Sequence, residues 1–339
     1  MPRRECNDYA GAQPRQESSI PAGPFIMIIV SLIRLSPPPP SWGVSIDASA
    51  VTNLAKNWSN RDFPAPAFNY PGLPPWEGDR WYDFCVLGCS VIACLWPPDG
   101  QRVWETEFEG SWLDDAPGLF ACFARQPMLR VEEFIDLSPA AARQFFAGRG
   151  TLQLLDERAT TLAGVAEALV SKWGGHASNL IEAADWDGPR IVDLLVESVP
   201  GYRDVAITEL GRLSFNKLAH LCAAMINSRS EKPITRLDTF PVYPDYMLPL
   251  ILRHNRILRY EDDLSDAIDR RQLIMHGSNW ELAIRWSTVF AADRLRSELN
   301  RLGNPVETPA LDYALWHDAV LGPEADAMGE HHRTLTMAY

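Results

Sequence analysis

Beyond residue 126, apolar residues recur at helical spacing almost to the end of the chain. Leu155, Leu162, Val165, Leu169 and Trp173 mark a long helix that Gly174-Gly175 would cap. Ile191, Leu194, Leu195 and Ser198 mark the next, which Pro200 stops. Phe215, Leu218, Ala219, Cys222, Ala223 and Ile226 share one face, as do Leu250, Ile251, His254 and Leu258. Ser138-Pro139 reads as an N-cap with Pro at the first helical position. Ser278-Asn279-Trp280-Glu281 fits a capping box ahead of the stripe Leu282, Trp286, Val289, Ala292, Leu295 and Leu299. Upstream the pattern changes. Residues 44–57 predict a first helix with Asp47 near its start, and residues 62–78 a Pro/Gly-rich loop. Phe84 to Leu95 is apolar and strand-like, Val103 to Phe108 partly alternates, and Pro97-Pro98-Asp99-Gly100 would turn the chain between them. Residues 110–126 predict a short helix. The fold class is mainly α with a small β hairpin or sheet near residues 84–108, without internal repeats.

Composition narrows the picture. A hydrophobic content of 46% over 339 residues supports a sizeable core. Residues 1–40 are expected to be an irregular or disordered extension, with Met27 inside it as an alternative start, and residues 41–339 one domain. Phe25 to Leu35 carries Ser31 and Arg34 and falls short of the roughly 20 residues of a membrane helix. Arg3 and Arg4 resemble a signal-peptide start, but the gap behind them is polar, and Pro37 to Pro40 stand where a cleavage site would be. No membrane partner is expected. A net charge of -13 argues against a nucleic-acid binder, which needs a Lys/Arg excess, yet leaves room for a nucleotide-sized ligand. Twelve tryptophans supply core and flat pocket walls. Cys6, Cys85, Cys89, Cys94, Cys122 and Cys222 lack zinc-site spacing and read as buried thiols of a reduced cytoplasmic protein. His331 and His332 have no partner acids at ligand spacing. No metal and no cofactor are expected.

Candidate chemistry concentrates between residues 194 and 263. Asp204 follows a helix in Tyr202-Arg203-Asp204, and Asp245 precedes one in Asp245-Tyr246-Met247-Leu248-Pro249. Acids at helix ends in loops are positioned for chemistry more often than those on a solvated face. Each has a plainer alternative: a helix cap for Asp245, and a salt bridge with Arg203 or a turn bond for Asp204. Lys217, beside Asn216 at a helix start, would suit a phosphate or else lie at the surface. Tyr246 and Trp316 are either two walls around a flat ring or plain core. Asp312 lies one turn before Trp316 and shares its face. His254, on the apolar face with Ile251 and Leu258, reads as a core histidine, with a catalytic acid as the alternative.

The same segments resemble the queuosine salvage family, the queuosine 5′-phosphate N-glycosylases. The resemblance runs in order from Val44-Ser45-Ile46-Asp47 through Glu157-Arg158 and Trp173-Gly174-Gly175 to Leu194–Ser198 and Tyr202–Val205. It continues through Ser214–Lys217, Asp245–Pro249, His254, Tyr260–Leu264, Leu311-Asp312-Tyr313, Leu315-Trp316 and His332-Arg333 before Tyr339. It implies a helical core similar to helix-hairpin-helix DNA glycosylases, a cytosolic setting, and metal-independent hydrolysis of a C1′–N bond that releases queuine from its nucleoside monophosphate. Under it Asp245 and Asp204 are the catalytic candidates. Arg203, Lys217, Tyr246, Asp312, Trp316 and Trp96 are the substrate-binding candidates. A carboxylate beside C1′ can activate water and stabilise an oxocarbenium-like transition state. The chain departs from the family pattern at Cys89–Trp96, where only the Trp is kept, at Leu250, and at Ile274-Met275-His276. Two alternatives follow: an N-ribosyl hydrolase for another deazapurine nucleotide, and a catalytically silent nucleotide-binding relative.

Overall fold

A computed structural model describes residues 36–126 and 128–339. The expectations for residues 1–35 lie outside the described residues. In chain order the elements begin with β1 (Val44–Ile46), α1 (Ala48–Asn57), α2 (Gly78–Cys89), β2 (Glu105–Phe108), β3 (Ser111–Asp114) and α3 (Asp115–Ala124). There follow α4 (Pro139–Phe145), α5 (Leu155–Trp173), α6 (Ala177–Ala183), α7 (Gly188–Ser198), β4 (Val205–Thr208), β5 (Gly211–Ser214) and α8 (Lys217–Ser228). The chain closes with α9 (Met247–His254), β6 (Leu258–Tyr260), α10 (Asp262–Asp269), α11 (Asn279–Arg301) and α12 (Thr308–Leu321). Mainly α is therefore correct.

Most caps follow the sequence. The Ser138 hydroxyl accepts from Ala141 N, the Ser278 hydroxyl accepts from Glu281 N, and Gly174 ends α5 at φ +60°. Three expectations need correction. Phe84 to Leu95 is not a strand; α2 runs to Cys89. Every residue from Trp81 to Cys89 is buried, so this helix carries no amphipathic period to betray it. The hairpin does not turn at Pro97–Gly100. It pairs β2 with β3 through Glu109-Gly110, both at positive φ, as a two-residue hairpin turn demands. Residues 44–46 are not helical either. They form β1, antiparallel to β6, and Asp47 then caps α1 through Ser49 N and Ala50 N. A third hairpin joins β4 and β5.

Two apolar cores divide the helices. One gathers α2, α3, α5, α6, α7 and α8 around Trp81, Phe84, Phe120, Leu162 and Leu195. The other gathers α1, α9, α11 and α12 around Trp42, Leu54, Ile251, Trp286 and Leu311. The chain crosses between them at several close points, two of which are Phe215 of the second core to Leu218 of the first, and Tyr243 of the first to Leu248 of the second. Lys217 and Asp245 sit at these crossings.

Candidate functional site

Asp245 stands just before α9. Its Oδ1 accepts from Met247 N at 2.8 Å and from Leu248 N at 3.0 Å. The helix starts at Met247 rather than near Pro249, so Asp245 does cap it, and Oδ2 is left without a partner among the described residues. A carboxylate fixed through one oxygen presents the other in a defined direction. Lys217 opens α8 after Asn216 at φ +46°. It is buried and in no direct ion pair among the described residues.

Asp312, on α12, accepts from Tyr243 N at 2.6 Å. Burial pushes its carboxyl well above the ordinary carboxylate range, and the neighbouring charge of Asp245 adds to this; the Tyr243 amide and Lys217 oppose it. The carboxyl of Asp115, at the start of α3, is pushed up to about 6, first by burial and then by the charges of Asp114 and Asp245, with Lys217 opposing. Asp312 on α12 and Asp245 before α9 are thus linked through the Tyr243–Asp245 segment, and the charges of Asp245 and Lys217 both act on Asp312.

The aromatic wall is not the pair expected. Tyr246 and Trp316 form no ring pair among the described residues. Its ring lies 4.8 Å from His331, which in turn lies 6.4 Å from Trp96. Trp316 stacks instead on Tyr313. The His331 Nδ1 donates to the carbonyl of His332 at 2.7 Å, and burial lowers the pKa of the ring, so a neutral imidazole with Nε2 available stands between Trp96 and Tyr246. The C-terminal segment that carries it is tied down by Ile274 N to Arg333 O at 2.8 Å and Cys94 N to Tyr339 O at 3.0 Å. A groove of about 550 Å³ lies apart, between Pro37–Pro40 and Trp286, Phe290 and Arg294, and touches none of these groups.

Asp204 is placed differently from Asp245. Both of its oxygens bind the buried guanidinium of Arg285 on α11, which also binds Glu281 Oε1 at 3.2 Å. The partner is therefore Arg285 and not Arg203. Extended backbone turns Tyr202 and Asp204 inward and sends Arg203 to solvent, away from the cluster. Arg285 also donates through Nε to the carbonyl of Pro244 at 3.1 Å, and its plane lies 4.1 Å from the rings of Phe215 and Tyr339. The Asp204 carbonyl accepts from Phe215 N at 2.9 Å, and its amide donates to Asn216 Oδ1 at 3.1 Å. One ion-pair node thus fixes the residue before Asp245 and the residue before Lys217. Glu281 and Arg285 were missed as members of this node. Their i,i+4 spacing on a stripe of apolar neighbours was the available signal.

His254 is not a core histidine: its Nε2 lies 2.9 Å from Glu324 at the surface. The departing stretch Cys89–Trp96 is held by another buried cation. Arg158 donates to the carbonyls of Val91, Ala93 and Cys94, and to that of Gln153 at 3.0 Å. It is in no ion pair among the described residues, and burial lowers its pKa to about 10. Arg158→Met leaves these carbonyls unpaired and is expected to cost about 2–5 kcal/mol, on the scale of lost charged hydrogen bonds. Urea unfolding would show it as a lower midpoint at unchanged slope.

Comparison with known proteins adds an independent finding. The profile of the family described as "Queuosine salvage protein" matches residues 91–339. The chain is 27% identical to a queuosine 5′-phosphate N-glycosylase/hydrolase of Sphaerobacter thermophilus over 87% of this chain and 93% of that protein. It is 26% identical to one of Dictyostelium discoideum, over 77% and 85% respectively. A Mus musculus protein of the same name is 28% identical over 56% of this chain and 59% of its own length.

Proposed function

The chain belongs to the queuosine salvage protein family, and on that premise we propose that it hydrolyses the N-glycosidic bond of queuosine 5′-monophosphate, releasing queuine for salvage into tRNA modification. The convergence of Asp245, Lys217 and Asp312 where the two cores meet carries the reading at the level of chemistry. Hydrolysis needs a carboxylate beside C1′, and Asp245 offers Oδ2 for this, either to activate water or to stabilise the positive charge that develops on the ribose. Asp312, whose carboxyl burial pushes toward the protonated form, can in that form donate a hydrogen bond to a sugar hydroxyl or to the base. Lys217 and the free amides at the start of α8 suit a 5′-phosphate. The flat base then lies against Tyr246, His331 and Trp96. Asp204 acts through Arg285 as a positioning residue, and Trp316 and Arg203 stand outside this arrangement.

The helical body suits a fold akin to helix-hairpin-helix glycosylases, with residues 41–339 acting as one catalytic unit. Among the described residues no helix is long and apolar enough to cross a membrane. The five free, buried cysteines among the described residues agree with a cytoplasmic setting.

Incubation with a panel of nucleoside monophosphates, read by mass spectrometry of the free base, tests the reading: queuine should appear from its nucleotide. If only a different deazapurine is released, the reaction stands and the substrate changes. If no base is released from any nucleotide, the hydrolase reading fails. The phosphate subsite has its own test. Lys217→Met should raise KM for the nucleotide by about 10- to 100-fold, the scale of one charged hydrogen bond, while kcat/KM for unphosphorylated queuosine stays unchanged. An equal loss on both substrates would remove the phosphate role.

A further inference from the structure

We propose that the groove beside α11 is a docking site for this chain's own apolar run Phe25–Leu35, taken up as an added strand on the free edge of β1. It stands apart from the hydrolase reading. Val44, Ser45 and Ile46 of β1 form one side of this groove of about 550 Å³, and Trp286, Ser287 and Phe290 of α11 form another. No acid lines it. Its one cation, Arg294, stacks on Phe290 at 4.6 Å.

β1 belongs to a sheet of two strands and pairs with β6 alone among the described residues. Ser45 lies opposite Arg259. The flanking bonds, Glu261 N to Gly43 O at 3.0 Å and Asp47 N to Ile257 O at 2.9 Å, set which residues turn their backbone to β6. In an antiparallel pair alternate residues direct these groups to opposite sides, so Val44 and Ile46 point theirs away from β6. Those amides and carbonyls have no partner among the described residues, although Val44 is only 2% exposed. Backbone groups at such depth are nearly always paired. Two side-chain donors of the groove wall are in the same state: the Trp286 Nε1 and the Ser287 hydroxyl are buried without a partner among the described residues. A bare strand edge beside an apolar trough is the setting for strand addition. Main-chain bonds hold the added segment, and its alternate side chains fill the trough.

The chain itself supplies the occupant. The described residues begin at Ser36, and Ser36 to Pro40 form the remaining wall of the groove, so residue 35 is joined to the chain at the groove itself. Residues 36–43 separate the run from β1, and the turn Pro40–Trp42 with Gly43 at φ +86° bends the chain there. Phe25–Leu35 holds no acid and one cation, Arg34, and is rich in the β-branched residues that suit a strand: Ile26, Ile28, Ile29, Val30 and Ile33. Trp286 to Arg294 spans about 12 Å of α11, the reach of about four residues of extended chain. A tethered segment also docks at a high effective concentration, which favours it over a free partner of equal affinity. A partner selected by charge would bring an acid to Arg294; the run brings none and matches the apolar lining instead.

Amide hydrogen exchange at Val44 and Ile46 tests the proposal, compared between the full chain and one shortened to residues 36–339. Loss of residues 1–35 should speed exchange at these two amides by about 10-fold or more, while α5, in the other core, stays protected as the sign of an intact fold. Should the shortened chain fail to fold, the full chain carrying Ile28→Asp together with Ile29→Asp decides. Successive residues of a strand face opposite sides, so one of the two charges must fall on the buried face, and the same acceleration is expected. Equal exchange in the full chain and in either altered chain overturns the proposal. So does protection that survives without residues 1–35 and rises with protein concentration, which would put a second copy on the edge.

Discussion

Asp245→Asn will lower kcat by about three orders of magnitude or more while the protein keeps its stability and its affinity for the nucleotide. The geometry separates the two jobs of this side chain. The cap on α9 uses only Oδ1, which accepts from the amides of Met247 and Leu248. Asn caps as well as Asp, because its amide oxygen can accept the same bonds. The substitution therefore spares the helix start and removes only the negative charge at the second oxygen. A neutral amide neither takes a proton from water nor stabilises a cationic ribose, and losses of that kind are typically a hundredfold to ten-thousandfold for the proton transfer alone. Single-turnover release of base, beside equilibrium binding of the intact nucleotide, would measure both sides. Turnover near the wild-type rate would remove Asp245 from the mechanism. A parallel loss of melting temperature would mean that its role is the cap. Asp245→Ala should differ by losing the cap too, at about 1 kcal/mol.

The second large effect falls on stability. Arg285→Met should destabilise the protein by about 3–5 kcal/mol, because it strands Asp204 and Glu281 in the interior without a counter-charge. In a chain of this size that lowers Tm by on the order of 10 °C. Activity measured well below the new Tm should fall as well, since the Pro244 carbonyl beside Asp245 loses its donor and Tyr339 loses the plane it packs on. Asp204→Asn combined with Arg285→Met should cost less than the sum of the two single changes, as for any pair in direct contact. Strict additivity in that cycle would show that the contact carries no coupling. Burial of such a pair is weak support for stability as such, because matched apolar residues often do as well. What the node supplies here is registration of two loops that end at Lys217 and Asp245.

Sequence pattern revealed the helices that bury one face. α5, α7, α8 and α11 announce themselves through their apolar stripes, and α5 and α11 also through their caps. It failed at α2, whose every side is covered, because a helix without a polar face has no period. It failed on His254 because a helical wheel gives an angular position but not the depth of the covering layer; here Glu324 meets the ring at the surface. Asp245 was visible from its place in a loop before an apolar run. Its double function was not, since the choice between cap and catalyst turns on which oxygen is occupied. The pairing of Asp204 with Arg285 joins residues 81 positions apart, and spacing carries no information at that range.

The seam between the two apolar cores has a consequence for how the molecule melts. α8, with Lys217, is packed into one core, and α9, behind Asp245, into the other. A nucleotide gripped by both spans two packing units, so its binding energy is lost if either opens. Calorimetry of the free protein should therefore show a broader endotherm than that of the saturated complex, in which the ligand welds the halves into one cooperative transition.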